Sequence, residues 1–354
     1  MNRAFWQRKR VFLTGHTGFK GGWLALWLAD MGAEVHGFAL NPPTDPNFFT
    51  VTDLHSRLAS STIADIRDET ALTRAMQSAR PEVVFHLAAQ SLVLHSYAAP
   101  VETYAVNVMG TVHFLEAVRK TGGVKAVVNV TSDKCYENRE WVWPYRENEA
   151  MGGFDPYASS KGCAELVTAA YRRSYLEPAG IHAATVRAGN VIGGGDWAAD
   201  RLLPDFLSAL DAGQPLAIRS PLATRPWQHV LEPLLGYLML AERLCTKGPA
   251  FAAPWNFGPE ENDSRTVQWI VETLCSQVSG AAWRCDALPQ PHEAHTLKLD
   301  SAKAKAELGW RPRWHLETAL AMTLAWHQAW RSGQDMSEVS LRQIHEYEVA
   351  TKQA

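Results

Sequence analysis

The stretch VFLTGHTGFKGGWLALWLADMGAEVHGFAL, residues 11–40, decides the fold. Val11, Phe12 and Leu13 read as a short buried strand, Gly15, Gly18 and Gly21 follow as GxxGxxG, and Trp23–Leu24–Leu26–Trp27–Leu28 has the pattern of a helix. A glycine turn of this kind lets backbone N–H groups and the positive end of a helix approach a diphosphate with no Cβ in the way. A second strand, Glu34–Leu40, returns within the length of one βαβ unit. The implied site is for a dinucleotide, walled by Gly15, Thr17, Gly18, Phe19, Lys20 and Gly21; glycines serving only a tight strand–helix junction are the alternative.

The end of the second strand bears on which dinucleotide fits. An acidic residue there binds both ribose hydroxyls of NAD and repels a 2′-phosphate. This chain has Asn41, followed by Pro42 and Pro43. Asn41 retains hydrogen-bonding capacity toward a ribose, and no Arg or Lys lies between Gly37 and Asp53 to neutralise a phosphate. NAD is preferred over NADP.

Working outward, 354 residues accommodate one large α/β domain with a smaller lobe, or two domains. A formal charge of −3 leaves no basic footprint for nucleic acid. The apolar run after Arg8, Lys9 and Arg10 is broken by Gly15, His16, Thr17 and Gly18, short of a signal or membrane-spanning segment, so a cytoplasmic protein is expected. The five cysteines form no CxxC and read as reduced thiols, and the histidines show no ligand spacing, so no metal is expected.

Beyond the first unit, Ser61–Ala64 reads as a strand leading to Asp65 and Ile66, which are candidates for the adenine end of the cofactor; a helix cap by Asp65 or Asp68 is the other reading. Val83–Leu87 is a buried strand followed by Ala88, Ala89 and Gln90. Small residues at that carboxyl end let a cofactor pass close to the backbone. Asn107, in an apolar helix spanning 101–120, must be hydrogen-bonded. It either places an active-site group or satisfies a helix kink.

The next strand runs apolar through Val127–Val130 and then turns abruptly polar at Thr131, Ser132, Asp133 and Lys134. Asp133 and Lys134 supply an acid–base pair, whose mutual attraction holds the aspartate's pKa down and the lysine's up unless the pocket desolvates them. Downstream, Tyr157 and Lys161 are four residues apart in a helix and share a face. An ammonium beneath a phenol favours phenolate, which can take a proton from a sugar hydroxyl as its hydride leaves.

After the strand Ala183–Arg187 the chain is expected to leave the cofactor domain. Asn190 is a candidate ligand for a substrate phosphate, and Arg201, Arg219 and Arg225 offer forked cations for a diphosphate or are ordinary surface arginines. Pro226–Val230 is read as opening a helix, with 230–246 helical and Trp255–Gly258 a last strand. Helix 264–279, the segment Trp283–Leu297 and helix 301–308 are read as a lid, 315–331 as an amphipathic helix, and everything from about Gln334 as peripheral. The predicted organisation is therefore a Rossmann-type parallel sheet over 1–188, completed by 226–260, with a mixed α/β substrate lobe from 189–225 and 261–354.

Six stretches, TGHTGFKGGWLALWL at 14–28, HLAAQ at 86–90, TSDKCYEN at 131–138, PYASSKGCAE at 156–165, RAGNVIGGGDWAADRLLPD at 187–205 and RPWQHVLEP at 225–233, together resemble the extended short-chain dehydrogenase/reductase family. The resemblance is nearest to its sugar-nucleotide 4,6-dehydratases that act on CDP-linked glucose. It implies bound NAD+ that takes hydride from C4 of a hexose and returns it to C6 after water is lost across C5–C6. Carried over, Tyr157 is the C4-hydroxyl base, Lys161 tunes it and binds the nicotinamide ribose, Thr131 holds the C4 oxygen, and Asp133 protonates the departing C6 hydroxyl. The dTDP-glucose branch has a glutamate beside that aspartate, whereas this chain has Lys134, which is either the C5 base or a stabiliser of the enolate. The resemblance further implies Leu87, Ala88 and Ala89 against the cofactor, Gln90, Asn107 and the three arginines toward the nucleotide sugar, and a homodimer or homotetramer paired through helices 101–120 and 159–176.

Overall fold

The computed structural model describes residues 1–286 and 296–350. Its largest sheet, among these residues, has seven parallel strands: β1 (Arg10–Thr14), β2 (Glu34–Ala39), β3 (Ser60–Ile63), β4 (Val83–His86), β5 (Ala126–Val130), β6 (His182–Ala188) and β10 (Pro254–Phe257), in the order β10-β6-β5-β4-β1-β2-β3. The order reverses between β1 and β4. From β1 the chain steps outward to β2 and β3, then crosses back to β4 and proceeds the other way. Helices diverge at such a reversal, opening a crevice beyond the carboxyl ends of the strands.

Strand β1 is buried on both faces, as a helix-covered parallel sheet requires. Val11 and Leu13 join one apolar core with Trp23, Trp27, Val83 and Phe85, while Phe12 joins the opposite one with Phe38, Leu72 and Phe114. The Thr14 hydroxyl ties β1 to the end of β4, since it pairs with His86 Nδ1 at 2.8 Å and accepts from the Leu87 and Ala88 amides.

A smaller lobe holds β7 (Asn190–Ile192), β9 (Thr224–His229) and β11 (Ser264–Thr266) in one sheet, with β8 (Leu216–Ile218) beside β12 (Trp283–Cys285) in another. Helices Leu202–Asp211, Val267–Gln277 and Leu316–Arg331 give it a separate apolar core around Leu203, Phe206, Trp227, Ile270 and Leu320.

Three sequence expectations are corrected here. Residues 224–229 are strand rather than helix: Trp227 pairs with Asn190 and Pro226 with Ser264, so this part of 226–260 belongs to the small lobe. The helix begins at Leu231, where Pro233 falls in its first turn and its missing N–H costs nothing. The chain beyond Gln334 is not peripheral, because Met336–Val349 is a helix that buries Met336, Val339, Ile344 and Tyr347 in the large core. Tyr347 meets Trp27 edge-on at 5.9 Å, and Trp27 Nε1 donates to Glu348 Oε1 at 2.7 Å. Ala304, Leu308 and Trp310 also pack into the large core, so the segment around 301–308 is no part of a lid. Residues 287–295 of the expected Trp283–Leu297 segment lie outside the described residues.

Among the described residues, no helix is long and apolar enough to cross a membrane, and no group of His, Cys, Asp and Glu is placed to hold a metal ion.

Candidate active site

A cavity of about 580 Å³ opens at the carboxyl ends of the large sheet, between it and the small lobe. One wall is the glycine turn. Gly15 has φ +82°, and a Cβ there would sit 2.8 Å from the Leu87 carbonyl carbon and the Ala88 amide, so only glycine lets the turn nest against β4. A Cβ on Gly21 would lie 2.0 Å from the Gly15 carbonyl oxygen. Gly18 differs, since a Cβ there would make only an ordinary contact at 3.5 Å and would otherwise point into open space. Gly18 caps helix Phe19–Asp30 without a side-chain hydrogen bond, which leaves that helix's first N–H groups available to an anion. An uncapped helix end, an empty approach over Gly18 and the small Ala88 and Ala89 together fit a dinucleotide diphosphate.

Thr17, Phe19, Lys20, Asn41, Asp65, Ile66 and Leu87 line the same wall. Asp65 is held by Arg67, whose Nη2 donates to Oδ2 at 2.6 Å, and its carboxyl pKa is lowered by that bond. The cap of helix Glu69–Ala79 is Asp68, which accepts from the Ala71 amide. Burial lowers the Lys20 ammonium's pKa to about 8, with Arg201 and Lys161 pushing the same way.

The polar end of β5 forms the floor. Ser132 organises the turn: its hydroxyl accepts from the Lys134 amide at 3.2 Å and donates to Asp133 Oδ1 at 3.1 Å. Asp133 Oδ2 is buried with no hydrogen-bond partner. Here the stated exception, desolvation by the pocket, applies to the aspartate. Desolvation raises the Asp133 pKa and outweighs the opposing pull of Lys134, Ser132, Arg225 and Lys20.

Tyr157 and Lys161 stand a turn apart on helix Pro156–Tyr171, whose N-cap Asp155 accepts from the Ala158 amide. Both line the cavity. Burial raises the Tyr157 pKa to about 12 and lowers that of Lys161 to about 8. The Lys161 ammonium donates to the Val130 carbonyl at 3.3 Å. In the ligand-free chain, therefore, burial outweighs the expected preference for phenolate.

Asn190, Arg201, Arg219 and Arg225 line the opposite wall. Arg201 is pre-set by Asp196 at 3.0 Å and by the Ser91 hydroxyl at 2.9 Å, and Arg219 is 3.5 Å from Asp200. Gln90 and Asn107, expected to touch substrate, stand behind the wall instead. Asn107 accepts from the Gln90 amide and donates to the Gln90 carbonyl and the Ser160 hydroxyl, each at 2.9 Å, from within a π turn at Ala105–Met109. The Gln90 side chain is spent on Thr103 and the Leu92 amide. These contacts hold both side chains within the protein, outside the cavity lining.

Sequence reading overlooked two buried charges below the floor. Glu165 and Arg187 form a bidentate pair, 2.8 Å at each contact. Glu165 continues the spacing 157, 161, 165, and this periodicity was the available signal.

The family model for GDP-mannose 4,6 dehydratase matches residues 12–323. A CDP-glucose 4,6-dehydratase of Salmonella typhimurium is 55% identical, over 99% of both chains. Among solved structures, a dTDP-glucose 4,6-dehydratase from Streptomyces venezuelae with NAD bound is 26% identical, with a TM-score of 0.74 over 93% of this chain and 99% of that one. A UDP-glucose 4-epimerase from Thermotoga maritima superposes with a TM-score of 0.75 at 24% identity, over 91% of this chain and 99% of that one, a likeness of fold.

Proposed function

The chain belongs to the GDP-mannose 4,6-dehydratase family, and on that premise we propose that it converts CDP-glucose to the 4-keto-6-deoxy sugar nucleotide and water. NAD, when bound along the glycine turn, supplies a hydride acceptor for C4 and the same hydride for C6, so no net oxidation results. Tyr157 takes the C4 hydroxyl proton, Lys161 binds the nicotinamide ribose, and Thr131 holds the C4 oxygen. Arg201, Arg219 and Arg225 hold the diphosphate, whose charge their planar forks match. Once C4 is a ketone the C5 hydrogen is acidic; Lys134 either removes it or stabilises the enolate that results, while Asp133 gives a proton to the C6 hydroxyl as it leaves.

The observation that carries this reading is the buried, partnerless Oδ2 of Asp133 in the cavity floor. Desolvation raises the pKa of that carboxyl group and so favours its acid form, the form that can donate to a leaving hydroxyl. A 4-epimerase on the same fold has no use for such an acid, since it expels no water. Parallel assays with CDP-, dTDP-, UDP- and GDP-hexoses test the assignment; turnover with CDP-glucose well above the others supports it, and preference for another base overturns it.

For assembly, the exposed apolar residues Val101, Met109, Leu166 and Tyr175 on helices 100–119 and 156–176 support pairing of two chains through these helices. Light scattering that returns the 39.3 kDa mass of one chain at micromolar concentration refutes it.

A further inference from the structure

Beneath the cavity floor lies a buried charge pair that the proposed chemistry does not use. Glu165 and Arg187 expose only 6% and 3% of their side chains. The Glu165 carboxylate is filled by four bonds: Arg187 Nε and Thr131 Oγ1 donate to Oε1 at 2.8 and 2.5 Å, while Arg187 Nη2 and Thr185 Oγ1 donate to Oε2 at 2.8 and 2.7 Å. Arg187 is fixed in turn, donating from Nη1 to the Tyr136 hydroxyl at 2.6 Å and to the Glu147 carbonyl at 3.2 Å. Tyr136 donates onward to Asn256 at 2.8 Å.

The consequence falls on Thr131. A threonine hydroxyl has one proton and two lone pairs. Its two partners inside the protein, Glu165 Oε1 and the Val186 carbonyl at 3.2 Å, are both acceptors. The short, charge-assisted bond to Glu165 claims the proton. Toward the cavity, which Thr131 also lines, only lone pairs remain. Arg187 keeps Glu165 ionised, and thereby keeps it an acceptor.

We infer that the Glu165–Arg187 pair is a positioning device that commits the Thr131 proton to the protein interior, so that Thr131 meets the C4 hydroxyl of the sugar as a hydrogen-bond acceptor. The inference rests on the function proposed above. In the bound ground state the C4 hydroxyl then donates to Thr131, and it turns that proton to Tyr157 only when the proton is taken; a group at C4 that cannot donate is disfavoured. This work is done by a carboxylate with no contact to the cavity, through the orientation of a single hydroxyl.

The test is binding discrimination in a background that cannot turn over. In Tyr157→Phe protein, Thr131 is the remaining C4 partner, and calorimetry gives dissociation constants for CDP-glucose and CDP-4-deoxyglucose. One retained hydrogen bond corresponds to about a tenfold preference for CDP-glucose. Adding Thr131→Val should abolish that ratio, Glu165→Gln, which removes the charge and puts an amide group in place of one oxygen, should cut it at least threefold, and the two together should do no more than Thr131→Val alone. Because Glu165→Gln can strand the buried guanidinium, the paired variant Glu165→Met/Arg187→Met removes both charges at similar volume and should give the same loss. A purely structural role would weaken binding of both ligands and leave their ratio intact, and that result, in either variant, overturns the inference. Failure of the Tyr157→Phe protein to bind CDP-glucose at all would instead overturn the proposed substrate.

Discussion

Ser132 donates to one oxygen of Asp133 at 3.1 Å and leaves the other buried without a partner. The turn thus orients the carboxyl group, and desolvation raises its pKa. Asp133→Asn preserves the size and the Ser132 contact but removes the transferable proton. C4 oxidation should survive and water loss should slow by roughly 10²-fold or more, the range for a general acid. Stopped-flow absorbance after mixing with CDP-glucose should show a reduced-nicotinamide signal that persists. No such signal would assign Asp133 to substrate positioning or to the first half of the reaction.

Tyr157→Phe keeps the ring packing and deletes the proton acceptor. Turnover should fall by roughly 10²-fold or more, with NAD affinity, measured by fluorescence quenching, unchanged. Near-normal turnover would mean that another group takes the C4 proton.

The glycine turn separates folding from binding. Gly21→Ala forces a Cβ to 2.0 Å from a backbone oxygen and should lower thermal stability by several kcal/mol or prevent folding. Gly18→Ala meets only an ordinary 3.5 Å contact, so stability should change by about 1 kcal/mol or less while NAD binding weakens, because the new methyl occupies the approach to the helix end. Equal loss of stability in both variants would contradict the diphosphate assignment.

Glu232 makes a prediction about pH. Its carboxylate accepts from the amides of Arg313 and Trp314 and from the Tyr347 hydroxyl at 2.6 Å, joining the start of helix 231–247 to the C-terminal helix. Burial nevertheless raises its pKa from 4.5 to about 7. The folded state therefore holds the proton more tightly than the unfolded chain, and this contribution to stability is full below about 4.5 and lost as pH rises through about 7, an effect on the order of 3 kcal/mol. In Glu232→Gln the amide oxygen still accepts from the backbone and its NH₂ can donate to Tyr347. Melting temperatures of the variant should vary less between pH 5 and 8 than those of the parent, and parallel curves would refute the buried-acid account.

What was legible in the chain was local. GxxGxxG and the Tyr157–Lys161 spacing announce themselves because a turn and a helix face are set by neighbours a few residues apart. Most residues singled out for the site do line one cavity. The errors came where distant contacts decide. Thr224–His229 becomes a strand because Asn190 and Ser264 supply its partners, and the C-terminal helix gains a core position because Trp27 receives Tyr347. Asp133 beside Lys134 looks like an ordinary ion pair on paper, and only burial reverses the sign of its shift. Gln90 and Asn107 have suitable chemistry, but Asn107 is bonded to the Gln90 backbone and Ser160, and the Gln90 side chain to Thr103 and the Leu92 amide.

In the proposed reaction, hydrogen leaves C4 and reappears at C6 of the same sugar. Incubation with CDP-glucose deuterated at C4, followed by NMR of the product, reads this directly. The account predicts deuterium in the C6 methyl group of a 4-keto product, with no net formation of NADH. Deuterium retained at C4 of a hexose, or NADH rising in step with product, would contradict it.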